Sequence, residues 1–172
     1  MSGFKFKLSG FTDVVRISGQ DLIESISQCY GRDGVEETIV LCRSNKRAIV
    51  YNNGIRNTIL DREDELNRGE HLMIVKNNYY WTEHLAPEDR DSYLEYPSFI
   101  ANGDVAVVQR IRRSREMYGF RYVDVVLTFP DYDDIEMDVT LLLDTLHSES
   151  PSLTQQENER LFGKAQERGY NR

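Results

Sequence analysis

Four short runs of β-favouring residues follow Arg68-Gly69: LMIVK (72–76), DVAVVQRI (104–111), RYVDVVLTF (121–129) and IEMDVTLL (135–142). Valine, isoleucine and aromatic residues recur in them, and turn formers separate them. Together they predict a small antiparallel β-barrel. Between the first two runs, Thr82 to Pro97 carries Pro87 and many acids, the composition of a surface excursion.

The first sixty residues read differently. Phe11 to Ile17 is strand-like, and Ser18 with Asp21 resembles a capping box opening a helix that turns Leu22, Ile23, Ile26 and Tyr30 inward. Gly31 and Gly34 close that helix. TIVLC (38–42) is a continuous apolar run, as expected of a strand covered on both faces in an α/β layer. Asn53-Gly54 is a hairpin signal, but Ala48, Tyr51, Ile55 and Ile59 keep helical spacing behind Ser44 or Asn45 as cap, so a helix is expected. The acidic stretch DREDEL (61–66) marks the transition between lobes. From Pro151, Thr154 and Glu157 form a second capping box before a polar helix with Leu161, Phe162 and Ala165 on one side.

The length of 172 residues leaves room for one ordinary core or two small ones. No run reaches a membrane span, and MSGFKFKLSG lacks the apolar centre of a secretory signal, so the chain reads as cytoplasmic with no membrane partner. Cys29 and Cys42 have neither disulfide nor zinc-site spacing and are expected as reduced, buried thiols. His71, His84 and His147 have no metal-ligand spacing. PDYDDIEMD lacks the lysine that a nuclease reading needs.

A net charge of −8 argues against a protein that coats nucleic acid uniformly, yet it hides a local asymmetry. Val105 to Tyr122 carries Arg110, Arg112, Arg113, Arg115 and Arg121 against Glu116 alone, whereas Val123 to Asp138 holds six acids and no base. Such charge either focuses a phosphate backbone into one path or forms two solvated strand faces. With Tyr79, Tyr80, Trp81, Tyr118, Phe120 and Tyr122, the arginines suit single-stranded DNA, phosphates on guanidinium groups and bases on rings. Alternation hides about half of the rings in the barrel, which leaves Trp81 and Tyr118 as the expected exposed ones. Arg43, just beyond the apolar run, is either a ligand for a γ-phosphate or a surface residue.

The succession IVLCRSNKRAIVYNNGIR (39–56), RGEHLMIVKNNYYW (68–81) and FIANGDVAVVQRI (99–111) resembles superfamily 1 DNA helicases related to the exodeoxyribonuclease V alpha subunit, from about Phe11 to Phe162. The resemblance implies a mixed fold, α/β plus all-β: a partial RecA-like lobe (1–66, motif IV at 39–56), an inserted SH3-like barrel (67–147) and a C-terminal helix (148–172) returning to the motor lobe. It implies that Arg43 approaches the γ-phosphate, and that Cys42 stands where related motors carry an aromatic against the base. Asn45 and Arg56 fall on the motif's helix or DNA contacts. Lys76, Asn77, Asn78 and Tyr79, with Asn102, Gly103 and Asp104, fall on the turn motifs of the barrel, although Ala106 replaces a frequent glycine. ATP and Mg2+ belong to the parent protein. This chain has no GxxxxGK[ST] loop, so alone it is expected to bind no cofactor and hydrolyse no ATP. Its partners are expected to be single-stranded DNA and the missing N-terminal motor domain. The alternative is a stand-alone β-barrel module that binds a protein partner and never meets ATP.

Overall fold

The computed structural model describes residues 9–83 and 97–146, together with Gln155, Gln156 and Glu159. The chain divides into two compact units, Met1–Glu63 and Asp64–Arg172.

Within the described part of the first unit the regular structure is helical. Helix α1 (Leu22–Asp33) follows a turn in which Ser18 Oγ donates to Asp21 Oδ2 at 2.7 Å and accepts the Asp21 amide. It ends at Gly34, whose φ of +95° is open to glycine at no steric cost. Ile26 is its one buried side chain, while Ile23, expected inward, lies toward solvent. Helix α2 (Asn45–Gly54) is capped by Ser44, which accepts the Arg47 amide, and runs on as a π-helical turn, Ile55–Ile59. Helical spacing therefore prevails over the Asn53-Gly54 hairpin signal. Ala48, Tyr51, Ile55 and Ile59 are all at least half-buried, and Asn53-Gly54 lies inside the final turn of α2.

Two expected strands are absent. Phe11–Ile17 and Thr38–Cys42 are irregular, and Ile39 and Leu41 stand 80% and 85% exposed. A strand is held by ladder hydrogen bonds to neighbours, and the described residues of this unit supply none, so β propensity alone does not form one. Cys29 and Cys42 are free thiols, half-buried rather than buried.

The second unit is built on one antiparallel sheet of order β1-β2-β3-β4: β1 (His71–Met73), β2 (Val105–Met117), β3 (Phe120–Phe129) and β4 (Ile135–Leu142). A four-residue helix, α3 (Tyr80–Glu83), follows β1. Strands β2 and β3 meet through a two-residue loop, Tyr118-Gly119, with φ of +59° and +76°, the mirror-image turn that matches strand twist. Val125, Leu127 and Phe129 of β3 are almost fully buried on the inner face and pack with Val108, Met137 and Val139. Each such side chain stabilises the fold by about 1.5–3 kcal/mol relative to exposure.

Two irregularities in β2, between Val108 and Arg110 and between Ile111 and Ser114, each insert one extra residue against β3. Bulges of this kind bend a strand and raise its twist. The sheet accordingly curls into a half-barrel. Its two edge strands border one apolar groove of about 220 Å3, with Leu72 and Ile74 on one side, Val139 and Leu141 on the other, and Leu127 and Phe129 between. The helix expected from Thr154 falls mostly outside the described residues; Gln155, Gln156 and Glu159 are helical. No helix among the described residues is long and apolar enough to cross a membrane.

Candidate functional site

In the first unit, the candidate residues other than Arg56 gather where α2 begins. Arg43 is exposed and lines a recess of about 340 Å3 with Ser44 and Arg47. Asn45 is exposed beside them, Cys42 is half-buried one residue earlier, and Arg56 lies in the π-helical turn. The first turn of α2 holds Lys46 and Arg47 and no acid. A helix N-terminus carries a partial positive charge and favours anions, so three cations around it oppose the helix's own electrostatics. A phosphate there would accept from free backbone N–H groups and guanidinium groups together.

In the second unit, the two turn motifs that the sequence separates form one knot. Asn77 Oδ1 accepts the Asn102 amide at 2.8 Å, and Asn78 and Ile100 exchange two backbone hydrogen bonds, both of 2.8 Å. Gly103, at a φ of +101°, donates its amide to the Ile74 carbonyl. Asp104 Oδ2 accepts the Ala101 amide at 2.7 Å and the Tyr132 hydroxyl at 2.8 Å. That bond to Asp104, followed by burial, pushes the Tyr132 phenol above its ordinary range. Asn77, Asn78 and Asp104 thus brace the loops, and Asn102 takes part through its backbone.

Of the rings, Tyr79 is 50% exposed and rests against Phe99 with centroids 5.1 Å apart, and Tyr80 is also exposed. Trp81 and Tyr118, expected as exposed rings, are half-buried: Trp81 packs against the core and Tyr118 occupies the hairpin loop. Phe120 is buried, and desolvation raises the pKa of half-buried Tyr122. Lys76 is exposed beside the knot.

The arginines of β2 are where the structure adds most. Cross-strand partners share a face, so Arg110 lies beside Val126, and Arg115, after the second bulge, beside Tyr122 on that same outer face. Without the bulge the period of two would send Arg115 inward. Arg110 pairs with Glu136 at 3.2 Å and Arg112 with Asp138 at 2.8 Å. Arg115 pairs with Asp124 and donates to Thr140 Oγ1 at 3.3 Å, while Thr140 donates to Asp124 at 2.7 Å. The bond from Thr140, opposed by partial burial and aided by Arg115, holds Asp124 below the ordinary aspartate range. Arg113 makes no ion pair among the described residues, although its charge also acts on Asp124.

Glu136 and Asp138 belong to β4, which β3 separates from β2, so the first two pairs reach over β3. Beneath them Val126 and Thr128 are 2% and 7% exposed, and Thr128 Oγ1 is buried without a hydrogen-bond partner among the described residues. The sequence asymmetry between a basic and an acidic segment becomes neutralisation across one sheet. At the hairpin end, Arg121 joins Glu65 at 2.8 Å and Asp144 at 2.9 Å. Partial burial pushes the Asp144 carboxyl up, but the amide and guanidinium of Arg121 outweigh it and leave the group lowered. Local sequence gave no signal for these pairs, since they depend on strand register.

No cluster of metal-ligating side chains occurs among the described residues, and His84 and His147 lie outside them. No protein-family model, curated protein or solved structure matches this chain.

Proposed function

We propose that this chain is part of an ATP-driven helicase or translocase that moves on single-stranded DNA. In this reading the first unit belongs to a RecA-like motor lobe and the curled sheet to an SH3-like barrel that guides the strand. The observation that carries it is the placement of Arg43 with Ser44 and Arg47 at the positive end of α2, beside Lys46. Cations set against a helix's own electrostatics are a local conflict of the kind found at functional sites. A γ-phosphate presented by the facing motor domain would resolve it, and Arg43 would stabilise the charge that builds during hydrolysis. ATP and Mg2+ are supplied by the rest of the parent protein, and Cys42, which cannot stack, gives no base contact.

The test is Arg43→Ala in the full-length protein. DNA-stimulated ATP hydrolysis should fall by about three or more orders of magnitude, within the range of about 10³–10⁵ by which arginine fingers accelerate hydrolysis. Unchanged turnover overturns the assignment.

A second reading, a protein-interaction module, is favoured by the apolar groove between the edge strands. A GxxxxGK[ST] loop encoded upstream in the same reading frame decides for the motor. Its absence decides for the module.

A further inference from the structure

The outer face of the sheet carries arginines suited to a phosphate backbone, but two of them already hold carboxylates from β4. Arg110–Glu136 and Arg112–Asp138 cross over β3, and all four side chains are more than half exposed. Exposed pairs of this kind contribute little to stability, so they do not lock the sheet and yield to a competing anion at a small cost. A phosphate group offers guanidinium the same paired oxygens as a carboxylate. Glu136 and Asp138 are two residues apart on one strand, as Arg110 and Arg112 are on the other, so the acids stand as a row facing a row.

From this arrangement we infer that Glu136 and Asp138 are intramolecular stand-ins for phosphates: they hold Arg110 and Arg112 on the outer face and attenuate its grip on single-stranded DNA. The inference rests on the proposed DNA-guiding role and adds a control to it. A nucleic acid strand binds by exchanging carboxylate for phosphate at each guanidinium. The acids therefore lower affinity without abolishing it. For a motor that must release each phosphate as it steps, moderate affinity is the useful property. Arg113, without an ion pair among the described residues, makes the first contact.

The experiment measures binding of a fluorescent oligothymidylate to the 172-residue chain at one fixed ionic strength. Three proteins are compared: the wild type, Glu136→Gln/Asp138→Asn, and Asp133→Asn/Asp134→Asn. The last is the control, because Asp133 and Asp134 are exposed and make no ion pair among the described residues, yet their neutralisation changes net charge equally. The first double variant is expected to bind about 2- to 30-fold tighter than wild type, the range that follows from releasing two exposed pairs. The control should gain much less, and adding Arg110→Ala/Arg112→Ala to the tight variant should remove the gain. Equal gains in both double variants would reduce the effect to net charge and overturn the inference. Equal binding by wild type and Glu136→Gln/Asp138→Asn overturns it as well, leaving the DNA-guiding role in place. If every variant keeps the wild-type circular dichroism and none binds the oligonucleotide, that role fails and the inference falls with it.

Discussion

The Tyr132 hydroxyl donates a 2.8 Å hydrogen bond to the Asp104 oxygen that also accepts the Ala101 amide at 2.7 Å. One carboxylate thus ties the turn after β3 to the turn that precedes β2. Tyr132→Phe removes one bond and should cost about 1 kcal/mol. Asp104→Ala strips both donors of their acceptor and should cost more, roughly 1–3 kcal/mol. Urea unfolding of the two variants checks the order.

Thr128→Val should raise stability by about 1 kcal/mol or more, because it replaces a buried hydroxyl without a partner by a methyl group of similar size. A shift of the urea midpoint to higher concentration at unchanged slope is the expected result. A lower midpoint would mean that the hydroxyl does bond in solution.

Ser44→Ala should cost about 1 kcal/mol, since Ser44 accepts the Arg47 amide at the start of α2. Ser44→Asp should retain the cap and add a negative charge beside Arg43 and Arg47. Its unfolding midpoint should therefore equal or exceed that of the wild type, as measured by circular dichroism.

Acid should weaken the second unit through Asp124 and Asp144. Both carboxyls are lowered in the folded state, the first chiefly by Thr140 and then Arg115, the second by Arg121 against a desolvation that acts the other way. A lowered folded pKa means that the stabilisation is present above the ordinary aspartate value near 3.9, and is lost as pH falls from there through the folded values. Urea midpoints measured from neutral pH downward should hold until about pH 4 and then fall. Asp124→Asn should lessen that acid dependence.

Strand β4 is legible in the sequence because it alternates. Glu136 and Asp138 face outward between buried Ile135, Met137 and Val139, which is the period of two written in IEMDV. Helix α2 was equally readable from Ala48, Tyr51, Ile55 and Ile59. What local sequence misses is whatever depends on partners distant in the chain. TIVLC has strand composition, but composition supplies no neighbouring ladder, and Ile39 and Leu41 stay in solvent. Trp81 looks like a turn residue beside Tyr80, yet the curl of the sheet brings the core to it. The bulges in β2 leave no mark that alternation alone would reveal, and they decide which face Arg115 occupies. The arginine segment reads as free cationic surface until register places Glu136 and Asp138 opposite.

The side-chain bridges over β3 have a consequence for inheritance. A change at 110 or 112 leaves its counterpart on β4 uncompensated, and a change at 136 or 138 does the reverse. Descendant sequences should therefore replace these positions as couples, 110 with 136 and 112 with 138, although the members of each couple are 26 positions apart in the chain.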